Sequence, residues 1–122
     1  MQKRRLGLAG PEVSLVGLGT NNFGGRTDLA ASRLVVDKAL DLGVTLIDTA
    51  DIYGNKGGSE ECLGQILGPR RKNVVLATKF GLPMDNAGKL RGASRRYVIQ
   101  AAEASLRRLK TDWIDLYQLH RH

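Results

Sequence analysis

Four side chains in this sequence have the types to place a proton on a polarised oxygen: Asp48, Tyr53, Lys79 and His120. A free phenol, with a pKa near 10, is a poor acid at neutral pH. An ammonium beside a phenol favours the phenolate and makes the proton easier to release. Lys79 is the candidate ammonium, and Asp48 the carboxylate that pins and partly neutralises it. His120 would donate a hydrogen bond to a carbonyl oxygen and orient it. Converged on one carbonyl, the four would polarise it for attack by hydride, with Tyr53 giving the proton.

Taken singly, none of the four is specific. Asp48 has the form of a turn cap. Tyr53, before Gly54, has that of a loop aromatic, Lys79 that of a solvated charge, and His120 that of a satisfied buried histidine or a frayed end. Their weight depends on the elements that carry them.

Short apolar runs alternate with amphipathic stretches, the pattern of βα units around a parallel sheet. Residues 3–7 and 12–16 flank the turn signal Ala9-Gly10-Pro11 and read as a β-hairpin. Residues 16–19 form a short strand and 20–26 a Gly- and Asn-rich loop. Thr27 or Asp28 caps a first helix whose apolar face is Ala31, Leu34, Val35, Ala39 and Leu42, with Gly43 as its stop. A strand over 44–48 and a loop over 49–58 follow. Ser59 then caps a second helix, with Glu60 and Glu61 in its first turn and Leu63, Ile66 and Leu67 on its buried face. Ser59 and Glu60 read as a helix start with no chemistry. Residues 73–78 form a strand and 80–93 a loop. Ser94 caps a third helix with Val98, Ala101, Ala102, Ser105 and Leu109 on one face, and 113–119 form the last strand.

Four strands with three intervening helices are half of an eightfold barrel, which takes about 250 residues. In such barrels the catalytic groups stand at the C-terminal ends of the strands. Asp48, with Tyr53 five residues on, follows the second strand, Lys79 the third and His120 the fourth. Alternation along a strand turns Val44 and Leu46 to the side of Asp48, Val75 and Ala77 to that of Lys79, and Ile114, Leu116 and Gln118 to that of His120. An open, doubly wound sheet ranks second, because Gly17-Leu18-Gly19-Thr20-Asn21-Asn22 lacks the third glycine of the dinucleotide fingerprint.

With 122 residues the chain is one domain at most. Its 42% hydrophobic and 25% charged residues are those of a folded chain rather than a disordered one. The net charge of +7 raises a nucleic-acid or anionic-surface partner. The basic residues, however, fall in scattered clusters at Lys3-Arg4-Arg5, Arg70-Arg71-Lys72, Arg95-Arg96 and Arg107-Arg108, with no aromatics interleaved as stacking platforms. They read as solvated faces, and neither nucleic acid nor membrane is an expected partner. Cys62 is the single cysteine and reads as a buried thiol, so nothing requires an oxidising compartment. Pro11 and Glu12 cut short the apolar run behind the basic start, and no stretch approaches the roughly 20 apolar residues of a membrane span. A cytoplasmic protein is expected. His122 has no partner ligands for a metal.

Several stretches, in this order, resemble the aldo-keto reductase family: Val16-Gly-Leu-Gly-Thr-Asn-Asn-Phe-Gly-Gly25, Leu46-Ile-Asp-Thr-Ala-Asp-Ile-Tyr-Gly54, Ser59-Glu60 with Leu63-Gly64, Ala77-Thr-Lys-Phe80, and Ser105 to His120. The resemblance implies a (β/α)8 barrel with a β-hairpin closing its N-terminal end. It implies reduction of aldehydes and ketones to alcohols with NADPH, or NADH in some members. The family's tetrad falls on Asp48, Tyr53, Lys79 and His120, with Tyr53 as proton donor. Gly19, Thr20, Asn21 and Asp48 would lie near the nicotinamide and its ribose. Family chains run more than twice this length, so residues 1–122 correspond to the N-terminal half of the barrel, as a truncated chain. A small carbonyl compound is then the expected substrate. A regulatory or assembly subunit on the same scaffold is the alternative function. Unpaired sheet edges also lead us to expect self-association or marginal stability.

Overall fold

A computed structural model describes residues 1–122. At the start of the chain β1 (Lys3–Arg5) and β2 (Glu12–Ser14) pair antiparallel, with Lys3 opposite Ser14. This is the expected hairpin, with shorter strands. Four further strands, β3 (Gly17–Gly19), β4 (Leu46–Asp48), β5 (Val75–Phe80) and β6 (Leu116–Leu119), form one parallel sheet. Three helices join them: α1 (Leu29–Asp41), α2 (Tyr53–Leu67) and α3 (Arg95–Leu109). The spatial order β3-β4-β5-β6 follows the chain without reversal, so the sheet has no switch point of the doubly wound kind.

The helices cover one face. Ile47 and Leu76 point from β4 and β5 into a core with Val36, Leu63, Ile66, Leu67 and Leu109, drawn from all three helices. Because side chains alternate along a strand, Asp48 and Lys79 project from the other face. The extended run from Val74 to Phe80 suits this buried position, being rich in β-branched and aliphatic residues. Phe80 stacks on Tyr117 at 4.7 Å between ring centroids, beside Tyr97 and Ala101 of α3.

Helix starts follow the caps. The Ala31 N–H donates to Asp28 Oδ1 at 2.9 Å, and the Tyr97 N–H to Ser94 Oγ at 3.2 Å. The buried face of α1 differs from expectation: Ser32 and Val36 are buried, whereas Leu34 is 72% exposed and Val35 and Leu42 are exposed too. This helix carries apolar residues on two sides, and only the side toward β4 and α2 has neighbours here. Periodicity alone does not say which side is covered.

A 3-10 turn over Gly68–Asn73, with Pro69 near its start, was not expected between α2 and β5. It buries Arg71, which pairs with Asp115 at 2.9 Å, donates to Trp113 O at 2.8 Å and lies 4.1 Å over the Trp113 ring. Arg108 is likewise drawn into the interior by Glu60. These two basic clusters are therefore not simply solvated: Arg71 and Arg108 are committed to the interior, and Arg70 pairs with Asp37 at 2.6 Å. Cys62 is a buried free thiol, pushed up in pKa chiefly by that burial. No helix is long and apolar enough to cross a membrane.

Candidate active site

Parallel strands in register end together. Gly19, Asp48 and Ala77 are successive partners across β3, β4 and β5. This register brings the tips of the strands to one rim. The His120 N–H donates to Phe80 O at 2.8 Å, carrying the β5–β6 ladder one residue past β6 and holding the imidazole at the same rim.

The side chains meet there. Lys79 Nζ donates to Asp48 Oδ2 at 2.7 Å and to Thr49 O at 2.8 Å, and it reaches Tyr53 Oη at 3.5 Å. The Tyr53 and His120 rings stand edge to face, 5.7 Å apart and at 90°. All four expected residues are thus brought together. The Lys79–Asp48 pair is partly open to solvent, with side-chain exposures of 15% and 40%. His120 is lowered in pKa, first by desolvation and then by the positive charges of Lys79 and Arg121, against a smaller opposing effect of Asp48. The His120 Nδ1 is buried with no hydrogen-bond partner.

Tyr53 owes its place to an unusual turn. It opens α2, yet Gly54, Asn55, Lys56 and Gly57 all have positive φ, and regular helix begins only after them. The expected loop over 49–58 is in effect this left-handed turn. A side chain at Gly54 would collide with Phe23 O and Ser59 N, and one at Gly58 would lie 2.9 Å from Gly24 O. The turn and the loop after β3 therefore pack backbone against backbone. Lys56 sits in the left-handed region at φ 66, at a cost of about 1–2 kcal/mol for a residue with a Cβ. Strain held beside converged polar groups is a mark of functional sites.

The residues expected near a cofactor divide. Asn21 is exposed, Asp48 is half exposed, and a Cβ added at Gly19 would meet nothing within 4 Å. A polar cleft of about 440 Å3 lies alongside, lined by Asn21, Asn22, Gly25, Arg26, Gly54 and Asn55. The cleft offers the amides of Asn21, Asn22 and Asn55 and the Arg26 guanidinium, and Asp48 adds a half-exposed carboxylate at the rim; such groups suit a polyhydroxylated, amide-bearing ligand and fit the ribose-nicotinamide part of a dinucleotide. Thr20 differs. It is buried, its N–H and hydroxyl both donate to Asp48 O, and its side chain is turned into the protein. The largest surface cleft lies at the opposite end of the sheet, by Arg71 and Trp113, and touches none of these groups.

Two residues read as a plain helix start belong to this region. Ser59 is buried and lies 2.8 Å from Thr20 O and 2.9 Å from Thr49 Oγ1. Glu60 is buried too, accepting from Thr78 Oγ1 at 2.6 Å and from Arg108 Nε at 2.7 Å. Neither caps α2. One signal pointed to this: Glu60 shares a helical face, at i, i+3 and i+7, with the buried Leu63 and Leu67.

A parallel sheet wound in chain order, helices on one face and polar groups converging at its C-terminal rim define part of a (β/α)8-barrel protein. The aldo/keto reductase family model matches residues 15–122, and the chain belongs to that family of oxidoreductases. It is 43% identical over 122 residues to the uncharacterized oxidoreductase YqkF of Bacillus subtilis, covering 98% of this chain and 39% of that protein. It is 45% identical over 117 residues to the aldo-keto reductase YhdN of the same organism, covering 91% and 35%. Among solved structures, the holo form of the aldo-keto reductase AKR11C1 from Bacillus halodurans matches with a TM-score of 0.85 and 41% identity, covering 98% of this chain and 40% of that one. The chain spans about two fifths of the length of the relatives it matches.

Proposed function

We propose that this chain carries the proton-handling half of a nicotinamide-dependent reductase of aldehydes and ketones. The observation that supports this reading best is the position of Lys79 Nζ, bonded to Asp48 and Thr49 O and within reach of Tyr53 Oη. Bound NADPH, or NADH, would supply a hydride to the carbonyl carbon. Tyr53 holds a proton at Oη for the carbonyl oxygen. The Lys79 ammonium stabilises negative charge left on the phenol oxygen, and Asp48 keeps that ammonium in place. His120, whose charged form is disfavoured by desolvation and by Lys79, orients the carbonyl oxygen. Asn21 and Asp48 would hold the ribose-nicotinamide end, Gly19 would leave room for it, and Thr20 would shape the loop through its backbone.

The test is titration of NADPH and NADH fluorescence with the chain, followed by single-turnover reduction of small aldehydes and ketones. Tyr53→Phe is expected to lower the reduction rate by a factor of about 10² or more, the range of general acid catalysis, with cofactor fluorescence unchanged. Reduction by Tyr53→Phe at the wild-type rate rules out Tyr53 as the donor.

The same reading takes the protein to be cytoplasmic, since its one cysteine gives it no intrachain disulfide to maintain. It also extends to assembly. The outer edges of β3 and β6 are unpaired, and such edges recruit further strands. Self-association through them would raise the mass seen in sedimentation with increasing concentration, and a concentration-independent monomer contradicts it.

A further inference from the structure

Ser59 and Glu60 are consecutive, and both are fully buried. Ser59 Oγ lies 2.8 Å from Thr20 O and Thr20 Oγ1 and 2.9 Å from Thr49 Oγ1. A serine hydroxyl has one proton and two lone pairs. The Thr20 hydroxyl gives its own proton to Asp48 O, so the Ser59 proton goes to Thr20 O or Thr20 Oγ1, and a Ser59 lone pair accepts from the Thr49 hydroxyl. Thr49 is thereby fixed from its side chain, and its N–H is fixed as well, donating to Ala77 O at 2.9 Å. The carbonyl of this same residue receives Lys79 Nζ. Glu60 works from the other side of the sheet. Its Oε1 accepts from Thr78, the chain neighbour of Lys79 on β5, while Oε2 is held by Arg108.

Two adjacent residues at the start of the regular part of α2 therefore hold both the acceptor of the Lys79 ammonium and the strand that carries Lys79. A lysine needs such support. Its four-carbon stem is flexible and its head is a compact charge without a preferred plane. An ion pair to a half-exposed carboxylate does little to define one position. A second acceptor, rigid and at a different angle, does.

We infer that Ser59 and Glu60 are positioning residues that act through Thr49 and Thr78 to hold the Lys79 ammonium at the Tyr53–His120 rim. The inference rests on the reductase reading of that rim, but its test needs no turnover. Lys79 is one of the charges that lower the pKa of His120, so the imidazole reports where the ammonium is. The experiment follows the 13Cε1 resonance of His120 against pH in the full chain, with His122→Gln as background so that a single imidazole is read.

Ser59→Ala is expected to raise the His120 midpoint by about half a pH unit as the ammonium loses its fixed acceptor. Ser59→Thr, which keeps the hydroxyl, should leave it in place. Lys79→Met should raise it at least as far as Ser59→Ala. A merely structural serine would change the urea midpoint and leave the imidazole titration alone. If Ser59→Ala titrates like the parent while Lys79→Met shifts, the clamp is refuted and the reductase reading stands. If Lys79→Met does not shift His120, the ammonium is not at the rim, and both readings fall. Should Ser59→Ala not fold, Thr49→Val removes the partner hydroxyl without emptying space and carries the same expectation and the same refutation.

Discussion

Thr78 and Lys79 are neighbours on β5, and they serve two ion pairs of equal length on opposite faces of the sheet. Behind it, Glu60 and Arg108 meet at 2.7 Å with side-chain exposures of 0% and 19%, and Thr78 fills the remaining Glu60 oxygen. On the open face, Lys79 and Asp48 also meet at 2.7 Å, but Asp48 is 40% exposed. In the buried pair both carboxylate oxygens are used by protein donors. The open pair keeps bonding capacity that something arriving at the rim can use. Length does not separate scaffold from site here; what separates them is how completely each group is satisfied and how far it is from water.

The sharpest way to break this contrast is Glu60→Ala. It leaves the Arg108 guanidinium and the Thr78 hydroxyl facing each other in the interior without their acceptor. Removing one partner of a buried pair typically costs about 3–5 kcal/mol, because an uncompensated charge stays behind. Urea denaturation followed by circular dichroism should show a loss of that size. A loss below about 1 kcal/mol would put the two pairs in one class and end the distinction.

Next in size is Asp51, on the loop between the two pairs. Its side chain is buried and Oδ1 has no partner. Its pKa is raised to about 6, first by desolvation and then by the charge of Glu60, while Arg108 and the Ile52 N–H pull the other way. Because the folded value lies above the unfolded one, the native state binds this proton more readily. The carboxylate then lowers stability fully above pH 6, and that penalty fades as pH falls from about 6 toward 3.8. A shift of this size corresponds to about 3 kcal/mol at pH 7. Asp51→Asn should therefore be more stable than the parent at pH 7.5, with the two curves converging near pH 4. Taking the difference between the two proteins cancels the opposite trend from His120, whose lowered pKa makes the native state weaker as pH falls below about 6.5. Equal stabilities at every pH would mean that Asp51 is not desolvated.

Which parts of this arrangement were legible in the sequence follows the same division. The strand ends were legible, because period-2 alternation and abrupt polar tips place Asp48, Lys79 and His120 without any tertiary knowledge. The hairpin was legible from Ala9-Gly10-Pro11, and the α1 and α3 caps from Asp28 and Ser94. What escaped was whatever depends on a distant partner. Ser-Glu after two glycines looks like an ordinary helix start until Arg108, 48 residues away, neutralises Glu60 inside the protein. Arg71 looked solvated until Asp115 and Trp113 enclosed it. The covered side of α1 could not be read either, since Leu34 and Val35 are as apolar as the Val36 that is buried. Gly54-Asn55-Lys56-Gly57 read correctly as a break, but a lysine in the left-handed region is set by the backbone of the neighbouring loop, not by its own preference.

The smallest stability effect should come from Lys79, the residue that reaches three groups at the rim. Lys79→Met keeps the length of the side chain and removes its charge. Asp48 is then left beside solvent rather than sealed in protein, so the loss should be about 0–1 kcal/mol, the range of exposed pairs. Salt separates the two pairs further. At 1 M ionic strength charges are screened beyond about 3 Å, and this reaches an exposed pair far more than a buried one. The stability difference between Lys79→Met and the parent should shrink toward zero between 0.1 and 1 M sodium chloride, while that of Glu60→Ala should hardly change. If Lys79→Met instead cost as much as Glu60→Ala and ignored salt, the lysine would be bracing the fold. The open face of β5 would then be scaffold like the covered one, and no group at the rim would be free to act on a ligand.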